Sequence, residues 1–392
     1  MRRAGILLFA LLAGPAQAAW QWDAPLEVSS AVGPAIFPHV ESANRQGLAV
    51  SGGTVGVVWE DNRSGAPRCY AAHRPAAAPA FAPETALSAG ECYEPTIAAL
   101  GGAGRFLAAW EEDGAVWARV LPGGKPVRLS TAAAVQATLA TRGDRVYAAW
   151  AEQAGRFKRI VVAALAVDGD ALVVRAARPI EAAEPANEQA WPALAVAANG
   201  DVVVVWEDRR HQHTVPYGSR APAGGLDFAP VARVSDQQSG RVDGLGAGMG
   251  AMRPTLAPWG ANGSAAVWLD KRDFLSGYDV YAAFDAGGRF GRNLRAQDSF
   301  GDNMSQWHAK VAAHGDRLVA VWDDARDGTP DVWLSTWTGE GFGDNVAVPA
   351  AAGPGEQGDP LAALDESGAL HVVWLDRGAG GTRVRYARAV WK

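Results

Sequence analysis

The chain of 392 residues has only two cysteines, no run of basic residues and, beyond its first few positions, no long apolar stretch. Each scarcity excludes something. A helix that crosses a bilayer needs about 20 consecutive apolar residues, and none is present. Nucleic acid is held by neutralising phosphates, so a formal charge of −6 without a basic tract rules out that partner and disfavours anionic membrane surfaces. No segment sustains a 3.6-residue apolar period, so long amphipathic helices are excluded too. The two thiols, Cys69 and Cys92, are too few to staple a chain of this length.

The one apolar run stands at the start. Arg2 and Arg3 precede Ile6 to Leu12, and Ala16-Gln17-Ala18 supplies a small-residue cleavage site. This is the three-part pattern of a secretory signal. Residues 1–18 are therefore read as a leader and residues 19–392 as a single domain, secreted or periplasmic, with no transmembrane segment. Disulfides persist in that compartment. No residue pattern calls for a cofactor.

Internal repetition organises what remains. Seven tryptophans end apolar runs: Trp59, Trp110, Trp150, Trp206, Trp268, Trp322 and Trp374. Around each stands the same four-part phrase. A short apolar segment comes first, often opened by proline (Pro38, Pro95, Pro192, Pro254, Pro360). A glycine turn leads to a strand such as Val202 to Trp206, then a strand such as Asp279 to Ala283, then a segment such as Phe228 to Val234. Short β-branched runs punctuated by Gly and Asn are strands. Four antiparallel strands, repeated, predict an all-β propeller of four-stranded blades.

The two ends predict how the ring closes. The seventh phrase starts at Pro360 and stops after its third strand, Arg383 to Ala389. The missing fourth strand is at the other end, where Gln21 to Ser29 matches the phrase at Phe81, Phe228 and Phe342. Six whole blades and one shared blade make a seven-bladed propeller closed by its N-terminal strand, which removes an exposed sheet edge. In such a meander the blade-to-blade connections and the turns after each tryptophan share one face, here called the top. Cys69 and Cys92 both fall at the top of blade one, where a disulfide between them is expected.

The turn Ala283-Phe284-Asp285-Ala286-Gly287-Gly288-Arg289-Phe290 resembles the Asp-box, or BNR repeat, of sialidase-like propellers. Ser219 to Phe228 and Ser335 to Phe342 are degenerate copies. The resemblance implies a propeller fold and a carbohydrate ligand. The catalytic set of sialidases does not carry over. Their Phe/Tyr-Arg-Ile-Pro phrase is replaced by Ile36-Phe37-Pro38-His39, and Tyr70, Tyr281 and Tyr386 belong to the repeated third strand.

The motif W-x-D-x-R recurs at Trp59/Asp61/Arg63, Trp268/Asp270/Arg272 and Trp322/Asp324/Arg326, with variants Trp206/Asp208/Arg209 and Trp374/Asp376/Arg377. Copies in five blades point to turn architecture. A single active site needs residues that do not repeat. Such residues precede the first strands: Phe37, Tyr93 with Glu94, Trp191, Arg253, Trp307 with His308, and Asp359. They are the expected ligand-binding ring at the top of the central channel, since aromatics stack on sugars and charged groups bond hydroxyls. Glu94, Asp113, Asp208 and Asp359 are the candidate catalytic carboxylates if the chain is a glycoside hydrolase or polysaccharide lyase. His39, His211, His213 and His308 also fall on the top. No metal is expected, His211 and His213 being the pair with ligand spacing if one binds. Two top loops, Ser235 to Arg253 and Asp298 to Gln306, are long. Two readings stand: a monomeric carbohydrate-recognising propeller, cleaving its glycan or not, and a non-enzymatic scaffold for a cell-envelope protein.

Overall fold

The computed structural model describes residues 19–40, 45–102, 104–210, 213–236, 250–272, 277–301 and 304–392. The leader, His211, most of the loop from Ser235 to Arg253 and part of that from Asp298 to Gln306 lie outside the described residues. Seven antiparallel sheets stand around a central channel, each built in the order inner, second, third and outer strand. The inner strands of blades one to seven are Leu48–Ser51, Tyr93–Ala99, Ala134–Arg142, Gln189–Val196, Ala251–Trp259, Trp307–His314 and Glu356–Leu364. Each inner strand packs on the next, and the seventh returns to the first. No helix among the described residues is long and apolar enough to cross a membrane.

Closure is as the two ends predict. Trp20–Trp22 pairs with the last strand, Gly381–Trp391, with Trp20 opposite Trp391, and Leu26–Glu27 continues the pairing at Tyr386 and Arg385. In five of the seven blades the outermost strand is two residues long, and blade seven ends in stretches of three and two, which leaves little free edge. Blade three differs, with an outer strand of nine residues, Ala171–Pro179.

The repeat is legible because each blade buries its apolar faces against its neighbours. The seven tryptophans are at most 1% exposed. The buried side chains fall into seven clusters, each shared between two adjacent blades, so the interfaces rather than the single blades are the cores. Buried indole N–H groups need partners. The carboxylate two residues on supplies one: Trp59 donates to Asp61 (2.9 Å), Trp268 to Asp270 (2.9 Å), Trp322 to Asp324 (3.0 Å) and Trp206 to Asp208 (3.2 Å). Glu112 and Glu152 do the same for Trp110 and Trp150.

The same aspartates accept from the arginine two residues further, which lies over the aromatic that opens the third strand. Arg63 covers Tyr70 at 4.2 Å, Arg272 covers Tyr281 at 3.9 Å and Arg326 covers Trp333 at 4.3 Å. In blade four this role falls to Arg210, over Tyr217 at 4.5 Å, and not to Arg209. The motif is therefore intact there, and the variant reading is corrected: counted from Trp206, the strict spacing reaches Arg210. Blade seven is the true departure. Among the described residues the Trp374 indole N–H has no partner, and Arg377 turns instead to Asp359.

Cys69 and Cys92 form the expected disulfide, with Cα atoms 5.4 Å apart.

Candidate functional site

One backbone device builds the channel mouth. In blades two to seven the inner strand carries a register shift just after its first residues, at Tyr93/Thr96, Val135/Thr138, Ala190/Ala193, Met252/Thr255, Trp307/Lys310 and Gly358/Leu361. The bulged residue has a left-handed backbone in every case: Glu94 (φ 55°), Gln136 (φ 63°), Trp191 (φ 53°), Arg253 (φ 55°), His308 (φ 51°) and Asp359 (φ 54°). None of them is glycine, which such a conformation favours. A strained backbone of this kind costs on the order of 1 kcal/mol or more per residue, so six approach the net stability of a domain, about 5–15 kcal/mol. Proline follows four of the six, and at a bulge its missing N–H leaves no ladder bond unmade.

At five of the six bulges the freed N–H is taken up by a side chain. Glu60 accepts from Glu94 (3.0 Å), Glu111 from Gln136 (2.6 Å), Glu207 from Arg253 (2.7 Å) and Asp323 from Asp359 (3.0 Å). These four acids each follow a blade tryptophan directly. In blade three that position is Ala151, and the Gln136 side chain accepts from Trp191 instead (2.8 Å). A repeated backbone thus holds a set of side chains that does not repeat.

Blades one to five fill their part of the mouth. Arg45, with 4% of its side chain exposed, forms ion pairs with Glu94 and, at 2.7 Å, with Glu111. Arg45 and Arg253 both approach the Trp191 ring, at 5.7 and 4.1 Å. Arg253 also pairs with Glu207 at 3.2 Å. Burial raises the carboxyl of Glu207 above the usual range against the pull of Arg253, and raises Glu60 against His39 and Arg45. Burial, then the charge of Glu207, pushes the Tyr278 phenol up.

Blades six and seven leave theirs open. His308 Nδ1 lies 2.9 and 3.0 Å from the two oxygens of Asp323, and Nε2 lies 3.2 Å from Asp359. Arg377 pairs with the other oxygen of Asp359. Gly358 makes this approach possible, since a Cβ there would stand 2.5 Å from an Asp323 oxygen. A cavity of about 510 Å³ opens over the cluster, flanked by Trp307, which is 40% exposed and meets the Tyr278 ring at a tilt, 5.2 Å between centroids. Among the described residues this is the group of three His, Asp or Glu side chains spaced closely enough to hold a metal ion.

The structure separates the residues expected from sequence. It brings Trp307, His308 and Asp359 to one cavity, and places Glu94, Trp191 and Arg253 in the filled part of the mouth. Phe37 is 65% exposed on the rim, its N–H on Asn62, and Tyr93 is 38% exposed with its hydroxyl on Glu91. Asp113 sits in an exposed two-residue hairpin with Gly114, which accounts for its φ of 51°. Asp208 is 1% exposed and spends both oxygens on Trp206 and Arg210. His213 has no part in the three-residue cluster. Gln136, Arg45, Glu111, Glu207, Asp323 and Arg377 were not foreseen. The available signal was the acid directly after four blade tryptophans.

No protein-family model matches this chain, and no curated protein matches it significantly. Solved structures do share its fold. Polysaccharide lyase Uly1 aligns over 94% of this chain and 99% of its own, with a TM-score of 0.62 and 10% identity. A Trypanosoma rangeli sialidase with 2,3-difluorosialic acid, a covalent intermediate, aligns over 95% of this chain and 59% of its own, with a TM-score of 0.53 and 9% identity. A Dyadobacter fermentans protein of unknown function aligns over 92% and 100%, with a TM-score of 0.52 and 10% identity. The chain spans little more than half of the sialidase chains it matches. At these identities the likeness is one of fold alone: a β-propeller.

Proposed function

We propose that the chain is exported after loss of residues 1–18 and that residues 19–392 act as a monomeric carbohydrate-binding propeller, which cleaves its glycan in the cavity over His308. The observation that carries this is the bulge ring, where six unlike side chains occupy one strained backbone position. Strain of this kind gathers at functional sites. That two fold neighbours are a polysaccharide lyase and a sialidase supports a sugar as the ligand.

The cluster suits proton transfer. With Asp323 accepting from Nδ1, the His308 ring is oriented and its Nε2 faces Asp359 and the cavity. A proton on Nε2 is shared with Asp359 and can pass to a leaving oxygen; without it, Nε2 is a base within reach of a sugar C–H. Arg377 balances the charge of Asp359. Trp307 offers an apolar platform for a pyranose face.

Purified protein incubated with sialylated, uronate-bearing and neutral glycans tests this, reading retained protein, new reducing ends and unsaturated products together. Retention with cleavage is expected. Glycan cleavage left unchanged when both Trp191 and Trp307 are replaced by alanine would remove the mouth as the site.

A second reading, a cell-envelope protein scaffold, rests on apolar side chains at the top rim: Phe37 is 65% and Phe300 85% exposed. Neither retention nor cleavage in the panel, with a crosslinked partner recovered from native extracts, would favour it.

A further inference from the structure

A cavity of about 600 Å³ lies on the flank of the ring, at the seam where it closes. Trp20 and Trp22 of the N-terminal strand form one wall and Trp337, at the outer edge of blade six, the other. Trp391 closes one end. The last strand starts at the top hairpin Gly378–Gly381 and reaches Trp391 at its far end, so this cavity lies away from the channel mouth. These four indoles stand outside the blade repeat. The repeated tryptophans are sealed, at most 1% exposed, whereas these are all partly open to solvent.

The walls are held in place. The Trp20 indole donates to the Thr336 hydroxyl at 3.0 Å and meets Trp391 edge to face at 5.1 Å, with the Arg317 guanidinium against both rings. Trp337 is braced by Phe284 at 4.6 Å and Phe342 at 5.4 Å. Rigid aromatic faces lose little freedom when a ligand arrives.

The lining also defines the ligand's charge. Asp344 is the single charged side chain among the described lining residues, and the amino group that export leaves on Ala19 offsets it, so the cleft favours a ligand without net charge. Hydrogen-bonding groups, the hydroxyls of Thr336 and Thr338 and the Asp344 carboxylate, accompany the indoles. Apolar faces with a few hydroxyl and carboxylate groups match an uncharged pyranose, whose C–H faces stack while its hydroxyls donate. The volume suits about two or three sugar units.

We infer that this cleft is a second glycan site, binding a neutral oligosaccharide segment and tethering the polymer whose other stretch reaches the mouth. The choice of sugar among uncharged amphiphiles rests on the functional reading above. The cavity and its aromatic walls do not.

The test titrates the purified full chain, its N-terminus read by mass spectrometry, with cellohexaose, xylohexaose and mannohexaose, following indole fluorescence and heat. Val346 lines the cleft and is 53% exposed, so Val346→Arg fills the space without disturbing buried packing. At least one neutral oligosaccharide is expected to bind, and Val346→Arg to weaken it about tenfold or more. Val173→Arg, the same change at a 53% exposed position on the outer strand of blade three, is expected to leave this binding unchanged. Three outcomes overturn the proposal: no binding of any of the three sugars; binding indifferent to Val346→Arg; or self-association that Val346→Arg abolishes, which makes the cleft an interface between copies. Failure of the mouth reading looks different, with no product from any glycan while the cleft still binds.

Discussion

The two parts of the channel mouth share a backbone and differ in what they do with it. In blades two to five the bulged residues are Glu94, Gln136, Trp191 and Arg253, tied to one another and to Arg45, Glu111 and Glu207. In blades six and seven they are His308 and Asp359, beneath an open cavity. The arginine of the turn motif marks the same division. In blades one, four, five and six it serves its own aspartate, whereas in blade seven Arg377 leaves that role and joins Asp359, and Asp376 accepts from Gln357 rather than from the Trp374 indole. A repeat protein makes such departures readable, because every blade is a control for its neighbours.

If the open part carries the chemistry, His308→Gln lowers glycan cleavage by about 10²–10⁴-fold, the usual worth of a positioned acid or base. Its unfolding midpoint should stay close to the parent's. If the filled part is architecture, Arg45→Met strands two carboxylates and costs about 3–5 kcal/mol of stability by denaturant unfolding. Cleavage per folded molecule should survive. The reverse pattern, stability lost at His308 and activity lost at Arg45, would break the comparison. Gly358→Ala sharpens it further: the new Cβ displaces Asp323 from His308, and a shift on that scale lowers turnover by about 10²-fold. A pH–rate profile that moves with it marks an effect through His308.

The smallest effect belongs outside the mouth. Glu84, against its own burial, is held down to about 2 by hydrogen bonds from its own backbone, Ser30 and Arg63. A depressed carboxylate adds stability above its unfolded value and loses that contribution as pH falls through the folded one. Wild-type stability relative to Glu84→Gln should therefore shrink between about pH 4.5 and pH 2, followed by thermal unfolding.

The fold was legible because repetition amplifies weak local signals. One buried tryptophan is ambiguous, but seven, each with a turn and a following strand, are not. Closure was legible for the same reason: a fourth strand absent after Tyr386 and present before Ser29. Site residues were found where proline marks the bulge, as with Glu94, Trp191, Arg253 and Asp359. Gln136 and His308 both precede alanine; His308 stood out beside the aromatic Trp307, whereas Gln136 had no such neighbour and was missed. Asp323 and Glu207 were hidden because they act on the next blade, and only register shows which side of a strand faces it. Asp113 and Asp208 were drawn in by sharing the top face, which does not distinguish a hairpin tip or an indole's acceptor from a channel side chain.

The pairing of Trp20 with Trp391 has a consequence for the order of events in making the molecule. Nearly the whole sequence separates the two partners, so the chain has to reach its last strand before the ring can lock. Until then the blades form an open arc, with blade one and blade seven each lacking a neighbour and the Trp20 strand without its mate. Pairings this distant form slowly. The seam is accordingly the step at which a half-made copy and a finished one part company, and nicking between the last two strands would return a finished ring to the arc.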